Sequence, residues 1–333
     1  MCYKRPGSTL SPPDLDLVVV GDCNPDVLVL GGDVTPAFGQ QEKLVDRVSL
    51  EIGGSAAITA VAAARLGLRV ALIAAVGEDP AGTFMLNALA GEGVDVSAVT
   101  VRDGLPTGMT VALSSGGDRA ILTALGAIAS LAAADIPGAL LARARHVHVS
   151  SYFLLEDSLG PGLAGLLAAA RAGGATTSLD TNWDPSGRWG DERLAAAIAQ
   201  TDLLLPNEAE ALRLSGAGSL DDAVSTLATV GRRLVVKLGE RGVVCADRSI
   251  RHEVSVPAVT PVDTTGAGDC FNAGLIAGLL QGLELPAAAA LGCAAGALST
   301  GALGGTASAP DLPTAARLAT LASESSRRSA GSD

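Results

Sequence analysis

The chain has 333 residues, of which 48% are hydrophobic, 17% are charged and only 2% are aromatic. This composition excludes a disordered chain, a coiled coil and a collagen-like repeat, and it predicts a large core built mainly from Ala, Leu and Val. The formal net charge of −12 repels phosphate backbones, so we expect no nucleic acid among the partners.

The cysteines and the two ends of the chain bear on its location. Five cysteines are scattered without a CxxC pair, which is typical of reduced thiols in a cytoplasmic protein. The first residues contain no apolar signal core. The most apolar stretch, residues 287–303, is rich in Gly and Ala and predicts a buried helix and loop rather than a membrane span. We expect one domain at residues 14–322, flexible tails at 1–13 and 323–333, and no membrane partner.

Apolar runs of strand length alternate with helical patterns along the chain. The predicted strands are residues 15–20, 69–76, 146–150, 176–180, 202–205 and 234–238. The predicted helices are residues 55–66, 159–172, 208–214 and 270–281. Strands that are apolar throughout, with helices between them, indicate a mostly parallel sheet covered on both faces, which is a three-layer α/β/α sandwich. Ligands of such sheets bind beyond the carboxyl ends of the strands.

One part of the chain breaks this alternation. Residues 107–114 and 119–125 flank the sequence Ser-Gly-Gly-Asp, which is a hairpin signal. Residues 27–30 and 43–50 predict further strands of the same small sheet. We therefore expect a β-sheet lid, formed from about residues 24–51 and 103–125, that excludes water from a reaction.

The strongest local signal for chemistry is a glycine-rich turn that runs into an apolar helical pattern, Asp263-Thr-Thr-Gly-Ala-Gly-Asp269. The free N–H groups at a helix start bind anions, and Gly266 and Gly268 allow a phosphate to approach the backbone. A carboxylate in the first turn, Asp269, is well placed to take a proton from an attacking hydroxyl. The alternative is that Asp269 is only a helix cap.

This string resembles the signature of the PfkB, or ribokinase-like, family of carbohydrate kinases. Four other segments match that family in the family's order over about residues 15–315. They are Gly21-Asp-Cys-Asn-Pro-Asp26, Gly53-Gly-Ser-Ala-Ala57, Pro206-Asn-Glu-Ala-Glu210 and Lys237-Leu-Gly-Glu-Arg-Gly242.

The resemblance implies ATP-dependent transfer of the γ-phosphoryl group to a hydroxyl, usually a primary alcohol, of a sugar such as ribose, fructose or 2-keto-3-deoxygluconate. It implies that Asp269 is the base and that Gly266, Ala267 and Gly268 donate N–H groups to the developing charge. The sugar-binding residues that it implies are Asn24, Asp26, Gly53, Gly54 and Asp269.

The resemblance also implies a nucleotide site with Mg²⁺. The implied ATP-binding residues are Asn207, Lys237, Gly239, Gly242, Thr265, Gly266 and Gly268. Glu210 and Asn207 are expected to organise Mg²⁺ through water, although the same two residues form the pattern of a helix capping box. Lys237 is alternatively a surface lysine at a strand end. Asp263 lies in a region that binds a monovalent cation in several relatives, so K⁺ is a further expectation.

Some features bear on the remaining alternatives. Ile58 stands where ribokinase-like members often carry Asn, so one polar sugar contact is lost. Asp180 and Asn182 are expected to contact phosphate or metal-bound water, whereas His146 and His148 are expected to pack within a strand. A sugar phosphate acceptor needs a basic cluster, for which Arg102 and Arg119 are candidates.

Three other function classes remain as alternatives. A nucleoside kinase of the same family is disfavoured by the few aromatic residues, and a non-catalytic sugar-binding regulator by the intact turn. A dinucleotide-dependent oxidoreductase lacks its GxGxxG fingerprint. By resemblance we expect a homodimer that forms through the lid.

Overall fold

The computed structural model describes residues 14–115, 118–230, 232–247 and 250–330. The first predicted tail, residues 1–13, lies outside these residues. The strands are β1 (Leu15–Val20), β2 (Asn24–Leu30), β3 (Arg47–Gly53), β4 (Val70–Ile73), β5 (Ala75–Gly77), β6 (Thr100–Arg102), β7 (Met109–Ser115), β8 (Asp118–Ala124), β9 (Ala144–Ser150), β10 (Thr176–Asp180), β11 (Leu203–Leu204), β12 (Arg233–Lys237), β13 (Val243–Asp247) and β14 (Ile250–Val254).

Helices connect most of these strands. They are α1 (Ser55–Arg65), α2 (Pro80–Gly91), α3 (Gly138–Leu141), α4 (Gly160–Ala172), α5 (Glu192–Ala199), α6 (Glu208–Ser215), α7 (Leu220–Val230), α8 (Ala267–Leu280), α9 (Leu285–Ser299) and α10 (Leu312–Ala330). The predicted apolar stretch at 287–303 is indeed a largely buried helix, α9. Among the described residues, no helix combines the length and the apolar character needed to cross a bilayer.

The central sheet confirms the predicted sandwich. Its strand order is β14-β13-β12-β11-β10-β9-β1-β4, and the strands from β12 to β4 pair in parallel while β13 and β14 are antiparallel. Alternate residues of β1 belong to two cores. Val18 and Val20 pack with α4, α5 and α7, and Leu17 and Val19 pack with α1 and α8. Because both faces are covered, strands of this kind are apolar throughout.

The lid is a separate sheet with the order β3-β2-β7-β8. The predicted hairpin joins β7 and β8, and its tip at residues 116 and 117 lies outside the described residues. Strand β2 begins directly after the loop that follows β1, so Asn24 and Asp26 belong to a lid strand. The lid is therefore attached to the carboxyl edge of the central sheet.

One prediction of element bounds is wrong. The predicted strand 69–76 is two strands, since β4 pairs with β1 whereas β5 turns away to pair with β6. A continuous apolar run does not indicate where a strand changes the strand with which it pairs. The predicted tail from residue 323 overlaps the end of α10, which continues to Ala330.

Candidate active site

The candidate site lies where the strand order of the central sheet reverses. The chain leaves β1 for β4 on one side and later returns to β9 on the other side. The loops after β1 and β9 therefore diverge and leave a crevice at the carboxyl edge. The two loops start close together, since a Cβ atom at Gly21 would lie 2.7 Å from the carbonyl oxygen of Ser150.

The glycine-rich turn forms the start of α8, as predicted. Gly266 precedes the helix with φ 70°, which a residue with a side chain rarely adopts. A Cβ atom there would also lie 2.7 Å from Gly305 Cα. The turn therefore depends on glycine at position 266, and it places the N–H groups of Ala267 and Gly268 at the half-buried start of a 14-residue helix. The Ala267 N–H also donates to the carbonyl oxygen of Thr264 over 3.3 Å. Such a helix start can bind an anion.

Asp269 is the third residue of α8 and is only 8% exposed. Burial raises the pKa of its carboxyl well above the ordinary value, and the neighbouring charge of Asp180 adds to this effect. The Ser55 side chain is close enough to Asp269 to oppose this rise in its pKa, and the Ser55 hydroxyl oxygen accepts a hydrogen bond of 2.7 Å from Asn182 Nδ2. The site thus holds a carboxyl whose raised pKa suits a general base.

A buried ion pair lies beneath the turn. Lys237 Nζ and Asp180 Oδ2 are 2.5 Å apart, with side chains 13% and 3% exposed. Asn272 Nδ2 donates to the same oxygen over 2.7 Å. Burial favours neutral Asp180, but the Lys237 charge and these donors hold its pKa below the ordinary value. The alternative of a surface lysine is wrong, because Lys237 Nζ points inward to within 3.7 Å of the Cβ position of Gly268.

The paired glycines pack against the predicted sugar-binding side chains of β2. A Cβ atom at Gly53 would lie 1.9 Å from Asp26 Oδ1, and one at Gly54 would lie 3.0 Å from Asn24 Oδ1. Asn24 Nδ2 donates to Asp26 Oδ1 over 3.2 Å. Burial, together with the charge of Asp22, raises the pKa of Asp26 to about 7. The structure thus brings these four predicted residues together at the base of the lid.

Asp22 is a site residue that the sequence reasoning missed. Its carboxylate accepts hydrogen bonds from the N–H groups of Ser55 and Ala56, at 3.0 and 2.9 Å. It therefore caps α1 from a loop more than thirty residues earlier in the chain. Burial raises the pKa of this carboxyl. In a sequence, an N-cap is predicted from a Ser, Thr, Asp or Asn directly before the helix, and Gly54 occupies that position here. The cap supplied by Asp22 is therefore not visible in the sequence.

A second missed feature is a pair of left-handed residues behind Asp269. Ser151 has φ 59° and Asn182 has φ 56°, which is rare for residues other than glycine. The Ser151 N–H donates to Asn182 Oδ1 over 3.1 Å. Such strained conformations cluster at functional sites. Together they orient the Asn182 amide toward Ser55, and this role differs from the predicted contact with phosphate.

Asn207 and Glu210 form a capping box at the start of α6. This is the role that the sequence offers as the alternative to organising Mg²⁺. Asn207 Oδ1 accepts from the Glu210 N–H over 2.9 Å, and Glu210 Oε2 accepts from the Asn207 N–H over 2.8 Å. Burial and the charge of Asp180 raise the pKa of Glu210 to about 7. Asn207 also forms a bridge to Lys237. Gly239 and Gly242 lie nearby, at the ends of the turn between β12 and β13.

The lid contacts the glycine-rich turn through Arg119 of β8. Its guanidinium bonds to the Thr265 hydroxyl and lies 3.5 Å from Asp263 Oδ1. Asp263 also accepts hydrogen bonds from the Thr265 N–H and the Gly304 N–H, both at 2.9 Å. These donors hold the pKa of the Asp263 carboxyl below its ordinary value, although burial opposes the charge.

Two other predicted positions lie away from the sugar motif. Arg102 lies on β6, outside the lid sheet, and bonds to Ser130 and to Asp135. Ile58 is 3% exposed and lies against Gly266 and Gly305. It therefore supports the turn from behind.

The family model described as "pfkB family carbohydrate kinase" matches residues 14–312. A ribokinase of Haemophilus influenzae is 30% identical over 304 residues, which cover 88% of this chain and 95% of that protein. A fructokinase of Klebsiella pneumoniae is 36% identical over 244 residues, covering 68% and 76% of the two chains. The structure of Arabidopsis thaliana ribokinase complexed with ribose and ATP superimposes with a TM-score of 0.78 at 25% identity, covering 92% and 98%.

These matches agree with the geometry of the site. The turn that carries Asp269 and the glycine pair at Gly53 both fall within the matched residues. Family members named ribokinase and fructokinase transfer phosphoryl groups to sugar hydroxyls. The chain therefore belongs to the pfkB family of carbohydrate kinases.

Proposed function

We propose that this sugar kinase uses ATP and Mg²⁺ to phosphorylate a primary hydroxyl of a neutral, free sugar. The observation that carries the proposal is the position of the buried carboxyl of Asp269. It lies one residue after the anion-binding turn, and it is close enough to Ser55, the first residue of α1, for that side chain to lower its pKa.

Asp269 is proposed as the catalytic base. A sugar hydroxyl held by Asn24 and Asp26 would give its proton to the Asp269 carboxylate as its oxygen attacks the phosphoryl group. Phosphoryl transfer depends mainly on in-line positioning and on neutralising the charge of the transferred group. The N–H groups of Gly266, Ala267 and Gly268 are suited to this, because they lie at the positive end of the α8 dipole.

The buried ammonium of Lys237 supports the same turn from below. Its Nζ lies 3.7 Å from the Cβ position of Gly268. A buried ammonium keeps its charge only when a carboxylate compensates it, and Asp180 does so here. The pair of Lys237 and Asp180 carries no net charge, and the Lys237 ammonium is the end of the pair that lies near the turn. Because the net charge of −12 by itself repels ATP, we propose that the start of α8 and bound Mg²⁺ neutralise the phosphates.

The nucleotide and metal residues are carried over from the family motifs. Asn207, Gly239, Gly242 and Thr265 are proposed to contact ATP, and Glu210 with Asn207 to hold Mg²⁺ through water. The buried carboxylate of Glu210 is a hard oxygen donor of the kind that Mg²⁺ prefers. Bound Mg²⁺ would neutralise phosphate charge. We propose that K⁺ binds in the region of Asp263 through backbone carbonyl oxygens only. The Asp263 carboxylate already accepts several hydrogen bonds from the protein.

The neutral charge of the acceptor is inferred from the side chains around the sugar motif. Asp22 raises the pKa of both Asp26 and Asp269, so its carboxyl lies close to both of them. A carboxylate or phosphate on the sugar would be repelled by them. Arg119 contacts Asp263 and Thr265 and also lowers the pKa of Asp26, so its single positive charge is shared among carboxylates that outnumber it.

A homodimer that forms through the lid is supported by the outer face of the lid sheet. Residues in direct register share a face, and one face joins Leu50, Val27, Val111 and Leu122 across the four strands. Leu50 and Leu122 are 45% and 64% exposed. The opposite face carries Asn24, Asp26 and Thr110. In a monomer, the apolar face of a lid is expected to face the protein and the polar face the solvent, whereas here the apolar face is exposed. We propose that a second copy of the chain covers this apolar face.

The test is ADP release with ATP and Mg²⁺ against ribose, fructose, 2-keto-3-deoxygluconate, fructose 6-phosphate and adenosine. The proposal expects release with a neutral free sugar and little with the two charged acceptors or adenosine. Preference for a charged acceptor would overturn the assignment of a neutral sugar. Tight ATP binding without release on the whole panel would contradict the proposed acceptor class.

A further inference from the structure

The β2–β3 half of the lid joins the central sheet at two points that lie side by side. The chain enters β2 through residues 21–23, and it leaves β3 for α1 through residues 54–56. We call these two segments the root of the lid. Asp22 Oδ2 accepts a hydrogen bond from the Ser55 N–H and Asp22 Oδ1 accepts one from the Ala56 N–H, at 3.0 and 2.9 Å. The two segments of the root are therefore bonded directly to each other.

Further hydrogen bonds tie the root to the loops of two neighbouring strands. Asn182, which follows β10, donates through Nδ2 to Ser55 Oγ over 2.7 Å. Its Oδ1 accepts from the N–H of Ser151, which follows β9, over 3.1 Å. Strands β10, β9 and β1 are adjacent in the central sheet. The four residues Asp22, Ser55, Asn182 and Ser151 thus connect three adjacent loops with the start of α1, and we call them the brace.

The chemistry of the Asn182 amide fixes the direction of these bonds. The Ser151 N–H can only donate, so it requires the amide oxygen, and the Nδ2 group is thereby directed at Ser55. Ser55 Oγ accepts this bond and keeps its one hydrogen for another acceptor. The Ser55 side chain is close enough to Asp269 to lower its pKa, which agrees with a hydroxyl hydrogen that points to the proposed base.

The backbone and the burial of the brace show that these bonds hold it in place. Ser151 and Asn182 have φ angles of 59° and 56°, which are unfavourable for residues other than glycine and persist only where the surroundings enforce them. Each of the two residues supplies one partner of the 3.1 Å bond. Asp22 and Ser151 are 4% and 1% exposed, so a lost bond leaves a buried polar group without its partner.

The brace lies directly behind the sugar motif. A Cβ atom at Gly54 would lie 2.9 Å from the carbonyl oxygen of Asp22 and 3.0 Å from Asn24 Oδ1. Asn24 of β2 pairs with Gly53 of β3. A shift between the two segments of the root would therefore change the distances between the proposed sugar-binding residues on β2 and those at the end of β3.

We propose that the brace is a positioning device, which holds the root of the lid so that the residues of the sugar motif keep the geometry that binds the sugar. This inference rests on the proposed function, because that function assigns sugar binding to Asn24, Asp26, Gly53 and Gly54. The proposed nucleotide residues belong to other segments, namely α6, the turn after β12 and the turn before α8. Loss of the brace should therefore raise the KM for sugar and leave the affinity for ATP unchanged.

The first test does not depend on kinase activity. Ser55→Ala removes the hydroxyl that accepts from Asn182, and a connected brace should then release the Ser151 N–H as well. We expect amide hydrogen exchange of Ser151, followed by NMR, to become about fivefold faster, the factor that corresponds to one typical hydrogen bond. The matched control is Ser215→Ala, which removes a half-buried hydroxyl bonded within α6. Unchanged exchange of Ser151 in Ser55→Ala, or an equal increase in both variants, would overturn the brace.

The second test compares two helix caps of similar geometry. Asp22→Ala removes the two bonds to the start of α1. Asp191→Ala removes the two bonds that Asp191 accepts from the N–H groups of Arg193 and Leu194 at the start of α5, at 2.9 and 3.1 Å. Both variants should unfold at lower urea concentration. Only Asp22→Ala should raise the KM for the sugar found in the panel, by about tenfold, because small misplacements of positioning groups are costly.

A second variant covers the case in which Asp22→Ala does not fold. Asn182→Gly removes the amide and still allows the left-handed backbone, so it should raise the KM for sugar in the same direction. The affinity for ATP, measured by calorimetry, should match the wild type in both variants. A KM for sugar at the wild-type value, an equal rise in Asp191→Ala, or an equal loss of ATP affinity would overturn the positioning role. A wild type without activity on any sugar would instead contradict the proposed function.

Discussion

Replacing Lys237 with methionine tests how the interior holds the charge beneath the turn. The side chains have similar length, but the variant leaves the Asp180 carboxylate buried without its cation. Removing one partner of a buried ion pair destabilises a protein by about 3–5 kcal/mol. Asn272 still donates to Asp180 over 2.7 Å, so we expect the lower part of that range, near 3 kcal/mol.

The effect of Lys237→Met should depend on pH with a defined sign. In the wild type the pKa of Asp180 is lowered on folding, so the pair contributes stability above the unfolded pKa, and this is lost as pH falls through the folded value. In the variant, burial outweighs the remaining donor, Asn272, and raises the pKa of Asp180. The stability deficit of the variant relative to the wild type should therefore shrink on acidification. The difference in free energy of unfolding should be largest near neutral pH.

Urea unfolding followed by circular dichroism at several pH values measures this difference. The control is Arg143→Met, which breaks the exposed pair between Arg143 and Asp14, with side chains 48% and 57% exposed. Exposed pairs contribute little, so this variant should unfold almost like the wild type at every pH. A Lys237→Met protein that matches Arg143→Met, or whose deficit grows on acidification, would refute the reasoning about the buried pair.

Three further predictions concern the sugar motif and the lid. Gly53→Ala should raise the KM for sugar at least about tenfold, because the new methyl displaces Asp26 and a misplaced group is costly for positioning. Gly91→Ala, which meets no atom within 4 Å, is its control, and equal KM values would contradict the role of Gly53. Since burial raises the pKa of Asp26 to about 7, sugar KM should rise as pH falls through that value, and a flat profile in the wild type would count against Asp26 as an ionised acceptor. Leu122→Asp should convert the proposed dimer to monomer in sedimentation velocity, whereas a wild type that is already monomeric would refute the lid interface.

The sequence predicts those parts of the fold whose signals are local. The apolar run of β1, the hairpin of the lid and the glycine-rich turn before α8 each depend on a few adjacent residues. The two strands within residues 69–76 could not be separated, since their difference lies in which sheet they pair with. Pairing partners are a property of the tertiary structure.

The same limit applies to the site. Asp269 and Gly53 are found from their motifs, whereas the contacts around them join distant segments. Asp22 caps a helix of another segment, and Lys237 meets Asp180 across the sheet. A lysine at a strand end is read as exposed because lysines usually are. Only the packing of α8 over the strands determines that this one is buried.

The most direct test of the account is phosphoryl transfer by Asp269→Asn. With radiolabelled ATP and the preferred sugar, we expect a loss of turnover of about 10²–10⁴-fold, with the affinity for ATP in calorimetry unchanged. The control is Asp16→Asn, which alters a residue that is 9% exposed. Asp16 is the second residue of β1 and pairs with Arg69 at the opposite edge of the sheet. The account predicts that only Asp269→Asn is inactive, and turnover of that variant near the wild-type rate would contradict its role as the base.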